Sequence, residues 1–194
     1  MKESKKASHN RQSFRLKDHD YSEVGSYYIT ICTYEFRCLF GVIKNGEMQL
    51  NRFGNIVLLT WNDLTNHIAN IELGKFVIMP NHVHGIVNIV EPKSITYEKA
   101  DGNLPGLKIA KTRPPQQPLS EIVRQFKTFS AMRINNLRKM RGSPVWKRNY
   151  FERIIRNEKA YMAVEEYIHN NPFQWELDEY YEESPSQPAK GGSG

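Results

Sequence analysis

MPNHVHGIVNIV, running from Met79 to Val90, is the stretch on which the fold of this chain turns. It is apolar and rich in β-branched residues, and a corner residue pair, Pro80-Asn81, sits near its start, so it reads as a strand from His82 to Val90 entered through a tight turn. Side chains alternate across a strand, so His82 and His84, two positions apart, point to the same face. Neutral imidazole is a ready metal ligand, and two of them held side by side on a rigid strand suggest half of a cation site. The alternative is a pair of hydrogen-bonded histidines at a sheet edge.

Just before that strand, Lys75 to Met79 reads as the strand that the Pro80-Asn81 corner terminates. Upstream, Ser26 to Tyr34 is dense in Tyr, Ile and Thr and predicts another strand. Cys38 to Lys44 and Glu47 to Leu50 flank Asn45-Gly46, the strongest short hairpin signal. Asn51 then opens a helix whose Phe53, Val57, Trp61, Leu64 and Ile68 form one apolar stripe. Downstream, Glu91 to Pro118 is polar and proline-rich, long for a connection inside a compact domain. Leu119 to Arg141 predicts a long helix closed by Gly142, with Ile122, Val123, Phe126, Ser130, Ile134 and Leu137 inward and Arg124, Lys127, Arg133, Arg138 and Lys139 outside. A short strand follows before the last helix. This order predicts an α+β domain, an antiparallel sheet with helices packed on one side, the histidine strand at its centre and the last helix against the face that displays the histidines.

The last helix carries a second chemical signal. In NEKAYMAVEEYIHNNP, Asn157 to Pro172, Asn157 suits an N-cap, Glu158 suits the positive helix end, and Ala160, Val164 and Ile168 recur at helical spacing until Pro172 stops it. Tyr167 and Asn171 lie four positions apart, one turn along the same face, so a phenol and a carboxamide aim at one point. Tyr150, Tyr161, Tyr180 and Tyr181 compete for a nucleophile's role, and Tyr161 falls on the apolar side with Val164 and Ile168. Asn171 also suits a simple helix-end cap.

Four stretches taken in order carry a family likeness: DYSEVGSYYITICTYEFRCLFGVI, FVIMPNHVHGIV, EIVRQFKTF and VWKRNYFERIIRNEKAYMAVEEYIHNNP. With these the chain, from about Phe14 to Trp175, resembles the IS200-like tyrosine transposases with a His-hydrophobic-His motif, and in particular their domesticated relatives, the REP-associated tyrosine transposases. The resemblance implies a ferredoxin-like or RNA-recognition-like (RRM-like) core. It implies that His82 and His84 bind a divalent cation, Mg²⁺ or Mn²⁺, that Tyr167 is the nucleophile and that Asn171 completes the metal site. The implied activity is a single-strand DNA endonuclease and strand transferase working through a 5′-phosphotyrosine, on single-stranded or hairpin DNA, as a monomer or homodimer. A second class shares the same sheet and basic surface: a non-catalytic nucleic-acid-binding regulator of RRM-like fold, needing neither metal nor Tyr167. A replication initiator or relaxase fits less well, since such enzymes usually carry added regions.

Composition is consistent with a nucleic-acid partner. Twenty-seven basic against 21 acidic side chains leave a net charge of +6, and 39% hydrophobic content over 194 residues supports one domain with a real core. Candidate phosphate contacts are Arg11, Arg15 and Lys17 in the basic lead-in, Arg124 and Lys127 on the long helix, and Lys147, Arg148 and Arg153 ahead of the tyrosine helix. Tyr150 and Phe151 among them suit base stacking. Cys32 and Cys38 are too few for a disulfide scaffold and read as two buried thiols. No run approaches the roughly 18 apolar residues of a membrane span, and the start has no apolar core, so a cytoplasmic protein is expected. The expected organisation is a flexible lead-in over 1–13, one domain over 14–178 and a disordered tail over 179–194.

Overall fold

The structure, a computed structural model, describes residues 23–91 and 116–181. Six strands and three helices follow in order: β1 (Gly25–Cys32), β2 (Gly41–Lys44), β3 (Glu47–Leu50), α1 (Arg52–His67), β4 (Ile71–Ile78), β5 (His82–Ile89), α2 (Leu119–Leu137), β6 (Phe151–Ile155) and α3 (Glu158–Asn170). β4, β5, β1 and β6 form one antiparallel sheet in that spatial order, and β2 pairs only with β3. Setting aside the β2–β3 hairpin and α3, the chain runs strand, helix, strand, strand, helix, strand with the third strand beside the first, which is the ferredoxin-like arrangement. The long polar connection, residues 92–115, lies outside the described residues.

Alternation along the two central strands divides the sheet into two working faces. Tyr27, Ile29 and Ile31 of β1 and Val83, Val87 and Ile89 of β5 turn to one side. There they join Val57, Trp61 and Leu64 of α1 and Ile122, Val123, Phe126 and Ile134 of α2 in the main core. Tyr28, Thr30, His82, His84 and Ile86 turn to the other side, with Thr30 opposite His84 and Cys32 opposite His82 in register. Tyr28, Ile86 and Ile155 on that second face bury against Ile168, Val164 and Ala160 of α3. The helices therefore cover both faces: α3 lies on the histidine face, as expected, while α1 and α2 take the other, which corrects the expectation of one side. A terminal helix takes the open face when that face offers an apolar patch beside its polar residues.

Local chemistry explains the boundaries. The β2–β3 turn has Asn45 and Gly46 both at positive φ, 53° and 78°, as a two-residue hairpin matching strand twist demands. The Asn51 side chain accepts from the amides of Phe53 and Gly54 at the start of α1, and Asn157 accepts from Ala160 at the start of α3. α2 stops at Leu137 rather than Arg141. Asn135 turns inward to donate to the Ser143 carbonyl, Lys139 enters the left-handed region at φ 55°, and Leu137 is left exposed instead of inward. β4 begins at Ile71, earlier than expected, because a bulge between Leu73 and Phe76 breaks the alternation that would have revealed it.

Gly85 sits between the site and the core in sequence but faces the core. A Cβ there would lie 2.7 Å from the Trp61 ring and 3.0 Å from Phe76, the two aromatic rings that stack 4.2 Å apart over the sheet. Gly85→Ala is expected to cost about 1–3 kcal/mol by overpacking, read by chemical denaturation. An unchanged midpoint would mean that the stack yields freely.

Candidate metal centre and tyrosine

His82 and His84 are buried, at 0% and 1% exposure, under α3 and the Asn171–Leu177 turn that follows it. Burial depresses both imidazoles, His82 to about 3 and His84, which also feels His82, well below its usual value. Both are therefore neutral near pH 7 and carry a lone pair. The Asn81 amide donates from Nδ2 to the Tyr180 carbonyl at 2.7 Å, which leaves its Oδ1 as an acceptor facing His82 Nδ1 at 2.8 Å. His82 thus carries its hydrogen on Nδ1, and its Nε2 lone pair is free. His84 Nδ1 lies 2.7 Å from the Tyr28 hydroxyl and 2.9 Å from that of Thr30.

The two Nε2 atoms lie 3.0 Å apart. Nitrogens about 2.1 Å from one ion and at a right angle to each other would stand about 3.0 Å apart, so the pair suits two adjacent ligand positions. A carboxylate joins them: Asp178 Oδ2 is 3.9 Å from His82 Nε2, and His82, His84 and Asp178 form a group whose ligand atoms fit a divalent cation. Asp178 is held by the Tyr180 amide at 2.8 Å and by Asn171 Nδ2 at 3.1 Å. The Asn171 Oδ1 atom is buried with no hydrogen-bond partner, an orphan that a cation would satisfy. The donor set present therefore fits a divalent metal.

Sequence reasoning missed Asp178. It stands seven positions beyond Asn171, across an irregular turn with no periodicity, and only the fold returns it to the histidines. Glu179–Tyr181, which the sequence assigned to the tail, are described, and the Tyr180 ring packs 5.0 Å from His82.

Tyr167 stands at the rim of this centre. Its ring lies 5.4 Å from that of His84 and 6.2 Å, edge to face, from Tyr28, while 42% of the residue is open to solvent. Its pKa is raised, chiefly by burial and then by the Asp178 charge. Of the competing tyrosines, Tyr180 packs against His82 and the others turn elsewhere. Tyr161 meets Asn88 through its hydroxyl at 3.4 Å and packs in the second core, and Tyr181 lies against Trp175.

The basic candidates separate in the structure. Lys127, expected outside, turns inward and donates to the carbonyls of Lys147 and Arg148, so it braces the segment leading into β6. Lys147 lies over the Phe36 ring at 3.1 Å, and Arg124 is paired with Glu121. Arg148 and Arg153 are exposed, and Arg153 stands opposite Tyr28 on the site face beside exposed Phe151. Arg11, Arg15 and Lys17 lie outside the described residues.

The model of the IS200-like transposases matches residues 109–171, a span that includes α2, β6, α3 and both Tyr167 and Asn171. The chain belongs to the IS200-like transposase family. An uncharacterized protein of Haemophilus influenzae is 43% identical over 180 residues, 89% of this chain and 94% of its own length. Among solved structures, a REP-associated tyrosine transposase bound to a REP hairpin superposes with a TM-score of 0.52 at 15% identity, covering 84% of this chain and 74% of that one. At that identity the likeness is one of fold. Among the described residues of this family member, no helix is long and apolar enough to cross a membrane.

Proposed function

We propose that this chain is a metal-dependent single-strand DNA endonuclease and strand transferase in which Tyr167 is the nucleophile. The observation that carries the reading is the buried pair of neutral imidazoles with facing Nε2 atoms, beside an accessible phenol on a helix that packs over them. Membership of a transposase family and the hairpin held by the structural neighbour support DNA, single-stranded or hairpin, as the partner.

His82, His84 and Asp178, with the orphaned Asn171 oxygen, would hold the cation. A divalent ion there would draw charge from a phosphate oxygen and turn phosphorus towards the tyrosine. Imidazole donors favour Mn²⁺ over the harder Mg²⁺, while the carboxylate and carboxamide oxygens suit both. Tyr167 Oη would form the bond to phosphorus as the bond from phosphorus to the 3′ oxygen breaks. The phenolic proton leaves through the exposed side of Tyr167 and the departing 3′ oxygen takes one up. The product is a 5′-phosphotyrosine and a free 3′-hydroxyl, and attack by another 3′-hydroxyl reverses the step, so strands transfer without ATP. Arg148 and Arg153 are placed to hold flanking phosphates.

The test is incubation of the full chain with end-labelled single-stranded and hairpin oligonucleotides plus Mn²⁺ or Mg²⁺, followed by denaturing gel and mass spectrometry. A covalent adduct at the 5′ end of the fragment downstream of the break, lost with EDTA, is expected. Cleavage that continues in EDTA, or DNA binding with no adduct under any metal, would favour the non-catalytic regulator.

A further inference from the structure

Tyr28 is used by nothing so far, yet it touches both halves of the site. Its hydroxyl is 2.7 Å from His84 Nδ1 and 3.2 Å from Thr30 Oγ1, which donates to it, and its ring lies edge to face with Tyr167 at 6.2 Å. The residue is buried, so its single hydrogen must serve a protein partner.

Two proton arrangements are open to the histidine pair. His82 Nε2 is bare because its hydrogen is on Nδ1. In the first arrangement His84 Nε2 carries a hydrogen and donates to His82 across 3.0 Å, which leaves His84 Nδ1 to accept from Tyr28, whose own oxygen accepts from Thr30. In the second, both Nε2 atoms are bare, as ligation requires. His84 then carries its hydrogen on Nδ1 and donates to the Thr30 or Tyr28 oxygen. Only in the second arrangement is the Tyr28 hydrogen released from His84, and the phenol whose ring meets that of Tyr28 is Tyr167.

We infer that Tyr28 is a positioning residue that couples the two halves of the site, swinging its hydroxyl from His84 to Tyr167 when the histidines take a cation. A donated hydrogen bond there steadies the phenolate that attacks phosphorus. Thr30 is the second acceptor on His84 Nδ1, so removing the Tyr28 hydroxyl leaves the imidazole oriented and the ligand pair intact. The inference rests on the proposed reaction of Tyr167.

Tyr28→Phe in the full chain tests it, with Mn²⁺ affinity by calorimetry, thermal midpoint, affinity for a single-stranded oligonucleotide and single-turnover adduct formation measured side by side. Hydrogen bonds to charged groups set the scale: adduct formation should slow by about tenfold to a hundredfold. Mn²⁺ and DNA affinities should stay within about threefold, because Thr30 still holds His84. Equal losses in rate and metal affinity would make Tyr28 merely a support for His84 and overturn the inference, as would an unchanged rate. Should Tyr28→Phe fail to fold, 3-fluorotyrosine at position 28 keeps the shape and donates more strongly. The rate should then rise by about threefold, whereas a purely structural residue leaves it unchanged. Wild-type protein that forms no adduct, while still binding Mn²⁺, would remove the proposed reaction and this inference together.

Discussion

Tyr167→Phe should abolish the covalent protein–DNA adduct and leave DNA binding in place. The substitution removes one oxygen from a side chain that is 42% exposed, so the ring contacts with His84 and Tyr28 that seat the helix face survive. Loss of a nucleophile is expected to lower adduct formation by at least about ten-thousandfold. Affinity for single-stranded or hairpin DNA should move by no more than about twofold, as for other exposed changes. Denaturing gels and a binding titration on the same oligonucleotide read both quantities. An adduct that survives Tyr167→Phe would reassign the nucleophile. Tyr180 would be the first residue to examine, since its ring already lies 5.0 Å from His82.

The second large effect belongs to the metal. His84→Ala should lower Mn²⁺ affinity by more than about a hundredfold, because partners one shell out already account for tenfold to a hundredfold at such centres. The adduct should vanish with the metal. Within the same calorimetric series, Asn171→Ala and Asp178→Ala separate the oxygen donors. Each is expected to weaken binding by about tenfold if its oxygen reaches the ion, with the thermal midpoint nearly unchanged for Asn171→Ala. Metal binding untouched by Asn171→Ala would reduce that residue to the end of α3 and leave its buried Oδ1 unexplained. Metal binding untouched by His84→Ala would reduce the imidazole pair to hydrogen-bonded residues of the sheet.

Local signals in the chain carried most of the architecture. Asn45-Gly46 marked the hairpin, Asn51 and Asn157 marked helix starts, and the β-branched run after Pro80 marked the central strand. Each of these is a short-range preference that the folded protein also satisfies. The failures lie where the deciding contact is distant. β4 hid its first half because a bulge spoils the alternation, and Leu137 faces out because Asn135 ends α2 through a bond to Ser143. Lys127 carries a charge and so reads as surface. Its ammonium nevertheless finds two carbonyls 20 and 21 positions along the chain. Element order alone does not say that α1 and α2 take the face opposite α3, because apolar residues occur on both faces of β1 and β5.

The site was legible in part for the same reason. His82 and His84 share a face by strand period, and Tyr167 and Asn171 share one by helical period, so each pair could be read locally. That the two pairs meet follows only from the packing of α3 on the sheet. Asp178 belongs to neither period, and its place depends on the turn that brings residues after α3 back over β5.

β5 spends alternate residues on two unrelated tasks, the two imidazoles towards α3 and core side chains towards α1 and α2. A deletion or insertion of one residue between Pro80 and His82 would turn Val83 towards α3 and press both imidazoles into hydrocarbon. This part of the gene should therefore accept changes of spelling far more readily than changes of length.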